Sequence, residues 1–223
     1  MTKPKLPKDL LTEIVFILDR SGSMSGMESD VIGGFNSMLK KQKETSVRAY
    51  VSTVLFDHEA IVLHDREKIE QVPLMTEKDY KPRGTTALLD AIGSSIKHIA
   101  TVHKYARAED RPTHTLFVIT TDGRENASHA YNFEKIKKMV EEQKQKYNWE
   151  FIFLGADIDA ISIAGRIGID RDYSVKYKRD EEGILLSYET VSNVVSSRCS
   201  SDAKLSKNWK RALEEDYIKR KDQ

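Results

Sequence analysis

Glu13-Ile-Val-Phe-Ile-Leu18 runs directly into Asp19-Arg20-Ser21-Gly22-Ser23. The apolar part is continuous rather than alternating, and it is rich in β-branched and aromatic residues. A strand covered by helices on both faces of a parallel sheet has this composition, because neither face meets water. Two later stretches repeat the pattern: Thr115-Leu-Phe-Val-Ile-Thr120 stops at Thr121-Asp122-Gly123, and Trp149-Glu-Phe-Ile-Phe-Leu154 stops at Gly155-Ala156-Asp157. Between them, apolar residues recur at helical spacing. Val31, Phe35, Met38 and Leu39 share a face over 27–43, and Leu88, Ile92, Ile96 and Ile99 form a second stripe. Phe133, Ile136, Val140 and Tyr147 form a third, broken only by Gln143. Buried strands alternating with amphipathic helices predict an α/β fold, a doubly wound, mostly parallel central sheet flanked by helices.

The remaining elements fit around that frame. Segments 47–56 and 60–64 read as strands joined by the polar turn Asp57-His58-Glu59, a hairpin signal. A short helix is expected over 160–167 and a weak strand over 173–177. Ile184, Leu185, Tyr188, Val191, Val194 and Val195 then mark a helix, and Leu205, Trp209, Leu213 and Tyr217 a further amphipathic stripe. The expected division is an N-terminal arm over 1–11, one domain over 12–197 and a C-terminal amphipathic helix over 198–223. That last helix is either packed on the domain or free to dock a partner.

Composition narrows the function classes. Of 223 residues, 39% are apolar and 32% charged, with 36 basic against 35 acidic side chains and a formal net charge of +1. No field of one sign points to nucleic acid or a membrane surface as partner. Cys199 is the single cysteine, so an internal disulfide and a cysteine-based zinc cage are both excluded. No apolar segment follows the basic residues of MTKPKLPKDLL, and the run over 14–18 is too short to span a bilayer. The expectation is neither signal peptide nor membrane span, and a cytoplasmic setting. Oligomeric state is not legible.

The chemistry-bearing residues gather at predicted strand ends. In an open α/β sheet, ligands bind beyond the carboxyl ends of the strands, where the winding reverses. Asp19 and Asp122 each end a buried strand, Ser21 and Ser23 come after the first, and Arg83-Gly-Thr-Thr86 precedes a helix. This inventory contains only oxygen donors, a hard set suited to Mg²⁺, with Mn²⁺ or Ca²⁺ as alternatives, rather than zinc or copper. Two carboxylates only offset the charge of a dication, and neutral hydroxyls add none. A coordination position stays open for a carboxylate from another molecule.

Asp19-Arg-Ser21-Gly-Ser23 after an apolar strand, Gly84-Thr-Thr86-Ala-Leu-Leu-Asp-Ala-Ile92 opening a helix, and Ile119-Thr-Thr-Asp122-Gly123 together resemble the von Willebrand factor type A domain with its metal-ion-dependent adhesion site. The resemblance runs from about Thr12 to about Ser197. It implies that Ser21, Ser23 and Thr86 ligate the ion and that Asp19 and Asp122 coordinate it directly or through water. It also implies a protein partner that supplies an Asp or Glu, and a role as an intracellular adaptor or regulatory protein. The chain departs from the family at Thr85, where a second glycine is frequent.

The rival reading is an enzyme. Asp19-Arg-Ser-Gly-Ser with Asp122-Gly-Arg-Glu-Asn126 resembles, more loosely, a Mg²⁺-dependent phosphohydrolase of haloacid-dehalogenase type with Asp19 as nucleophile. Against it, Ser21 stands where a proton-donating acid would be needed, Ala127-Ser128 comes after Asn126 without a second acid, and Thr86 has no role. No Walker loop, Gly-x-Ser-x-Gly elbow or paired histidine spacing occurs. Cys199, in a serine-rich turn, has no base beside it. Asp157 and Asp159 border the rim as helix caps or outer carboxylates, Asn126 is open between these roles, and Arg20 and Arg124 could attract an acidic partner. Gly33-Gly34 inside a helix points to a close helix–sheet contact or, alternatively, a hinge.

Overall fold

The computed structural model describes residues 10–220 other than 46, 124 and 157, with the backbone alone at 158–160. The elements run in order: β1 (Thr12–Asp19), α1 (Glu28–Glu44), β2 (Ala49–Phe56), β3 (Ala60–Lys68), α2 (Leu88–Tyr105), β4 (His114–Thr121), α3 (Phe133–Tyr147), β5 (Glu150–Gly155), α4 (Ile158–Arg166), β6 (Ser174–Lys176), α5 (Glu181–Ser200) and α6 (Arg211–Lys219). The six strands form one sheet in the order β3-β2-β1-β4-β5-β6, and only β2–β3 pair antiparallel. Among the described residues no helix is long and apolar enough to cross a membrane.

Each face of the sheet carries its own core. Ile14, Phe16 and Leu18 of β1 pack with α1 and α5, while Val15 and Ile17 pack with α2, α3 and α4. This two-sided covering is why the run in β1 shows no polar alternation. Chain order places β2 on one side of β1 and β4 on the other, so the winding reverses between β1 and β4. The crevice beyond their carboxyl ends is the switch point of the sheet.

Several expectations are corrected. Strand β3 continues to Lys68, well past the predicted end at His64, through the polar stretch Asp65-Arg66-Glu67. An edge strand facing water needs no apolar pattern, and a register irregularity there accompanies a positive φ of 50° at Arg66. Gly34 does not serve a helix–sheet contact. A Cβ there would penetrate the Tyr188 ring on α5, whereas one on Gly33 would meet nothing. The glycine therefore lets α1 and α5 approach.

The expected boundary between 197 and 198 falls inside α5, which runs to Ser200. The C-terminal segment is not one helix over 198–223 but a linker, a 3₁₀ turn (Lys207–Lys210) and the nine-residue α6. This segment is packed on the domain. Lys210 Nζ donates to the carbonyls of Arg171 and Ser174 at 2.7 and 3.0 Å, Trp209 Nε1 donates to Asp172 O at 2.9 Å, and Leu213 is buried. Of the arm expected over 1–11, residues 1–9 lie outside the described residues. Leu10 is buried, and Leu11 O accepts from the Thr113 amide at 2.6 Å.

Candidate metal centre

Parallel pairing sets Leu18 of β1 opposite Thr120 of β4, so Asp19 and Asp122 leave the sheet side by side. Asp19 is buried. Its Oδ1 accepts from the Ser21 amide at 2.7 Å, its Oδ2 from the Thr121 hydroxyl at 2.6 Å, and its carbonyl from the Tyr80 hydroxyl at 2.5 Å. Burial raises the Asp19 carboxyl above the usual carboxylate range, against the opposing bonds from Thr121 and Ser21 and with some help from the Asp122 charge. A dication at this rim would reverse the balance by favouring the ionised form.

The two serines bridge the carboxylates. Ser23 Oγ donates to Asp122 Oδ1 at 2.6 Å, and Ser21 Oγ lies 2.9 Å from Ser23 Oγ. Ser23 has one hydroxyl proton, spent on Asp122, so Ser21 is the donor of the pair. Asp19, Ser21, Ser23 and Asp122 thus form one continuous chain, buried at Asp19 and Ser21 and open to water at Ser23.

Thr86 arrives from the third loop. The Gly22 amide donates to Gly84 O at 3.1 Å, tying this loop to the serine loop. Gly84 has φ +64°, and a Cβ on it would strike the His58 ring, so glycine is required there. Asn126 then clamps Thr86 reciprocally. Its Oδ1 accepts from the Thr86 amide at 2.9 Å, and its own amide donates to Thr86 O at 3.1 Å. The point where a Gly123 Cβ would sit is 3.6 Å from both Ser23 Oγ and Thr86 Oγ1. All five residues expected from the sequence therefore meet at one rim, and the missing side chain of Gly123 leaves space beside two of the hydroxyls. Two carboxylates, three hydroxyls and open space suit a small hard dication. Among the described residues no three His, Cys, Asp or Glu side chains converge as an alternative metal cluster.

Two residues that shape the rim escaped sequence reasoning. Asp57, just beyond β2, is fully buried. Its carboxylate accepts from Arg83 Nε and the Glu59 amide, each at 2.9 Å, while its carbonyl accepts from the Ala87 amide at 2.7 Å. Arg20 Nε lies 3.0 Å from it without the alignment of a hydrogen bond. Burial alone would raise this carboxyl, but the Arg83 bond, the Glu59 amide and the charges of Arg20 and Arg83 hold it below the usual range. Its place at a strand end is a signal that could have found it; the turn reading of Asp57-His58-Glu59 concealed it. The second is Arg179, whose Nη1 donates to Ser23 O at 2.5 Å and to Asp122 Oδ2 at 3.1 Å. No local pattern marks it.

Other candidates resolve differently. Arg20 is buried against Asp57, so it is not a rim cation open to an acidic partner. Cys199 lies in the last turn of α5 rather than in a loop, and burial pushes its thiol up to about 11. Arg124 and Asp157 are outside the described residues, as is the side chain of Asp159. His64 is buried and bonded to Thr53 Oγ1 at 3.0 Å.

The architecture defines the chain as an α/β module with the von Willebrand factor type A fold. No protein-family model matches the sequence, and no curated protein does. Solved structures do match. The vWF domain of the type V pili tip protein Mfa5 from Porphyromonas gingivalis aligns with TM-score 0.61 at 9% identity, over 88% of this chain and 98% of that one. The PilB minor pilin from Streptococcus sanguinis aligns with TM-score 0.61 at 13% identity, over 83% of this chain and 61% of that one. Proximal thread matrix protein 1 from the mussel byssus, described with a zinc-occupied MIDAS motif, aligns with TM-score 0.55 at 15% identity, over 84% of this chain and 48% of that one. This chain therefore spans less than two thirds of the pilin and byssus proteins. At these identities the likeness is one of fold.

Proposed function

We propose that the chain is a divalent-metal-dependent protein-binding module without catalytic activity. Ser21, Ser23 and Thr86 hold the ion, Asp19 and Asp122 hold it directly or through water, and a partner's Asp or Glu completes the shell. The observation that carries this reading is the convergence of the Ser21–Ser23–Asp122 hydrogen-bonded chain with the Thr86 hydroxyl beside Gly123. When bound, the ion supplies a Lewis-acid vertex for an incoming carboxylate. The side chains orient that vertex, and Asn126 and Asp57 fix the loops that carry them. Mg²⁺ is the ion this hard donor set favours, with Mn²⁺ or Ca²⁺ next. The zinc held by the byssus protein supports a divalent-ion role for this type of fold and adds zinc to the ions worth testing.

An intracellular adaptor or regulatory role in the cytoplasm belongs to the same proposal: the role is what the family resemblance implies, and a lone, buried cysteine is compatible with a reducing setting. The pilus and byssus settings are those of the neighbours. The hydrolase reading gains no observation: Ser21, not an acid, stands two residues after Asp19, and Thr86, which has no role in that scheme, converges on the same rim.

The test is calorimetric titration of Mg²⁺ and Mn²⁺ into the wild type, Ser21→Ala and Thr86→Ala. Both variants are expected to lose metal binding while keeping the wild-type circular dichroism spectrum. Unchanged metal affinity in either variant refutes the ligand set. Turnover of p-nitrophenyl phosphate with Mg²⁺ that vanishes in Asp19→Asn favours the hydrolase instead.

A further inference from the structure

We propose that Arg179 makes the hold of the centre on its cation conditional on an acidic ligand, and binds part of that ligand's carboxylate itself. The inference rests on the metal-binding reading and deepens it by assigning the residue that selects an acid.

Arg179 lies between β6 and α5 and reaches the rim from outside the three loops that supply the oxygen donors. Its Nη1 is engaged by Ser23 O and Asp122 Oδ2. Among the described residues its Nε and Nη2 have no partner, and the side chain is 48% exposed while that of Asp122 is 0% exposed. One end of the guanidinium is thus fixed on a buried carboxylate, and three N–H donors remain unused on a half-exposed side chain at the rim. An arginine fork is the usual geometric match for a second carboxylate oxygen.

The backbone that presents it is held firmly. Asp180 caps α5 by accepting from the Gly183 amide at 2.8 Å, and its other oxygen accepts from Arg220 Nη1, just beyond α6, at 2.7 Å. Arg220 is in turn paired with Asp216. A Cβ on Gly183 would strike the Lys178 carbonyl, so this turn is close-packed. The C-terminal segment therefore buttresses the loop that carries Arg179.

Formal charge gives the consequence. Asp19, Asp122 and Arg179 sum to −1, a bound dication takes the centre to +1, and a ligand carboxylate brings it to zero. Without Arg179 the same series reads −2, 0 and −1. With the arginine, the metal enters a less attractive site and the acid meets a positive centre. The dication adds two charges in either case, so the mutual promotion of metal and acid, equal by linkage, is not what Arg179 sets. The arginine lowers the affinity for metal alone and raises that of the loaded centre for the acid, so that retention of the ion depends more on the acid.

The experiment titrates Mn²⁺ into the wild type, Arg179→Gln and Arg179→Lys by calorimetry, each with and without acetate as the carboxylate probe. Acetate is held at one fixed concentration below saturation, where the enhancement reads the acid affinity of the loaded centre. Ion pairing between acetate and Mn²⁺ in solution is common to all three. Arg179→Gln is expected to bind Mn²⁺ alone about 10-fold more tightly than the wild type and to lose most of the acetate enhancement, in the range usual for coupled sites. Arg179→Lys, which keeps the charge but not the fork, is expected to bind Mn²⁺ alone as weakly as the wild type and to lose part of the acetate enhancement. Metal-free melting in EDTA is a second readout: Arg179→Gln should melt lower, because Asp122 loses its cation. A purely structural role would lower melting without tightening Mn²⁺. Equal Mn²⁺ affinity and equal acetate response in the wild type and Arg179→Gln overturn the proposal and leave the metal site standing. Absence of Mn²⁺ binding in all three proteins overturns the metal site, and this proposal with it.

Discussion

Replacing Asp57 by Asn removes one charge from the most enclosed ion cluster at the rim. The Asp57 side chain is 0% exposed, and Arg20 is 6% exposed, so neither is easily rescued by water. An asparagine oxygen still accepts from the Glu59 amide, but its NH₂ faces the donors of Arg20 and Arg83. Stripping a buried pair of one partner costs ~3–5 kcal/mol, because the other charge stays buried and uncompensated. The poor alignment of Arg20 Nε and the half-exposed state of Arg83 favour the low end, about 3 kcal/mol. For a domain of this size that is a fall of about 6–12 °C in Tm.

The pH dependence has a definite sign. The folded Asp57 carboxyl lies below the ordinary 3.8, so its contribution is complete above that value and drains as pH falls through the folded pKa. Urea denaturation of wild type and Asp57→Asn at pH 7 and again near pH 3 should show a gap that narrows on acidification. A gap below about 0.5 kcal/mol at pH 7, the size of an ordinary surface substitution, refutes the role assigned to Asp57. So does a gap that is the same at both pH values.

The remaining predictions separate packing from chemistry. Gly33→Ala should stabilise by ~0.5–1 kcal/mol through helix propensity, since a Cβ there meets nothing, and Gly34→Ala should destabilise by ~1–3 kcal/mol by driving Tyr188 aside. Paired thermal melts with shifts of the same sign contradict the α1–α5 contact. Gly123→Ala should fold normally, because its Cβ meets Ser23 and Thr86 at an ordinary 3.6 Å, yet its methyl takes space beside two metal ligands. Mn²⁺ titration should show at least a 10-fold loss of affinity, about 1.4 kcal/mol, and wild-type affinity would remove Gly123 from the site. Cys199, with its thiol at about 11 rather than 9.0, carries roughly 100-fold less thiolate at pH 8 than a free cysteine. Iodoacetamide should label it at least that much more slowly in native protein than in urea, and equal rates would contradict its burial.

Much of the fold was legible because the relevant information is local. In β1 the run Ile14 to Leu18 is apolar at every position, and the structure sends alternate residues into two cores. The helical stripes of α1, α2 and α3 arise from spacing alone, and Asp57-His58-Glu59 is the hairpin turn it resembles. The five oxygen-bearing residues stood out because each sits where a buried strand ends or a helix begins. The full length of β3 did not, because an edge strand in contact with water carries no pattern to read.

By itself, then, the sequence determined the layer architecture and the chemistry of the rim, since periodicity and strand-end polarity are properties of neighbouring residues. Tertiary structure alone decided which distant groups answer one another: Tyr188 against Gly34, Asp57 between Arg20 and Arg83, Arg179 on Asp122, and Arg220 on the turn that presents it. Those pairings depend on how the closed chain brings one element against another. Burial then gives them their strength, because a charge removed from water is governed by the few groups that enclose it.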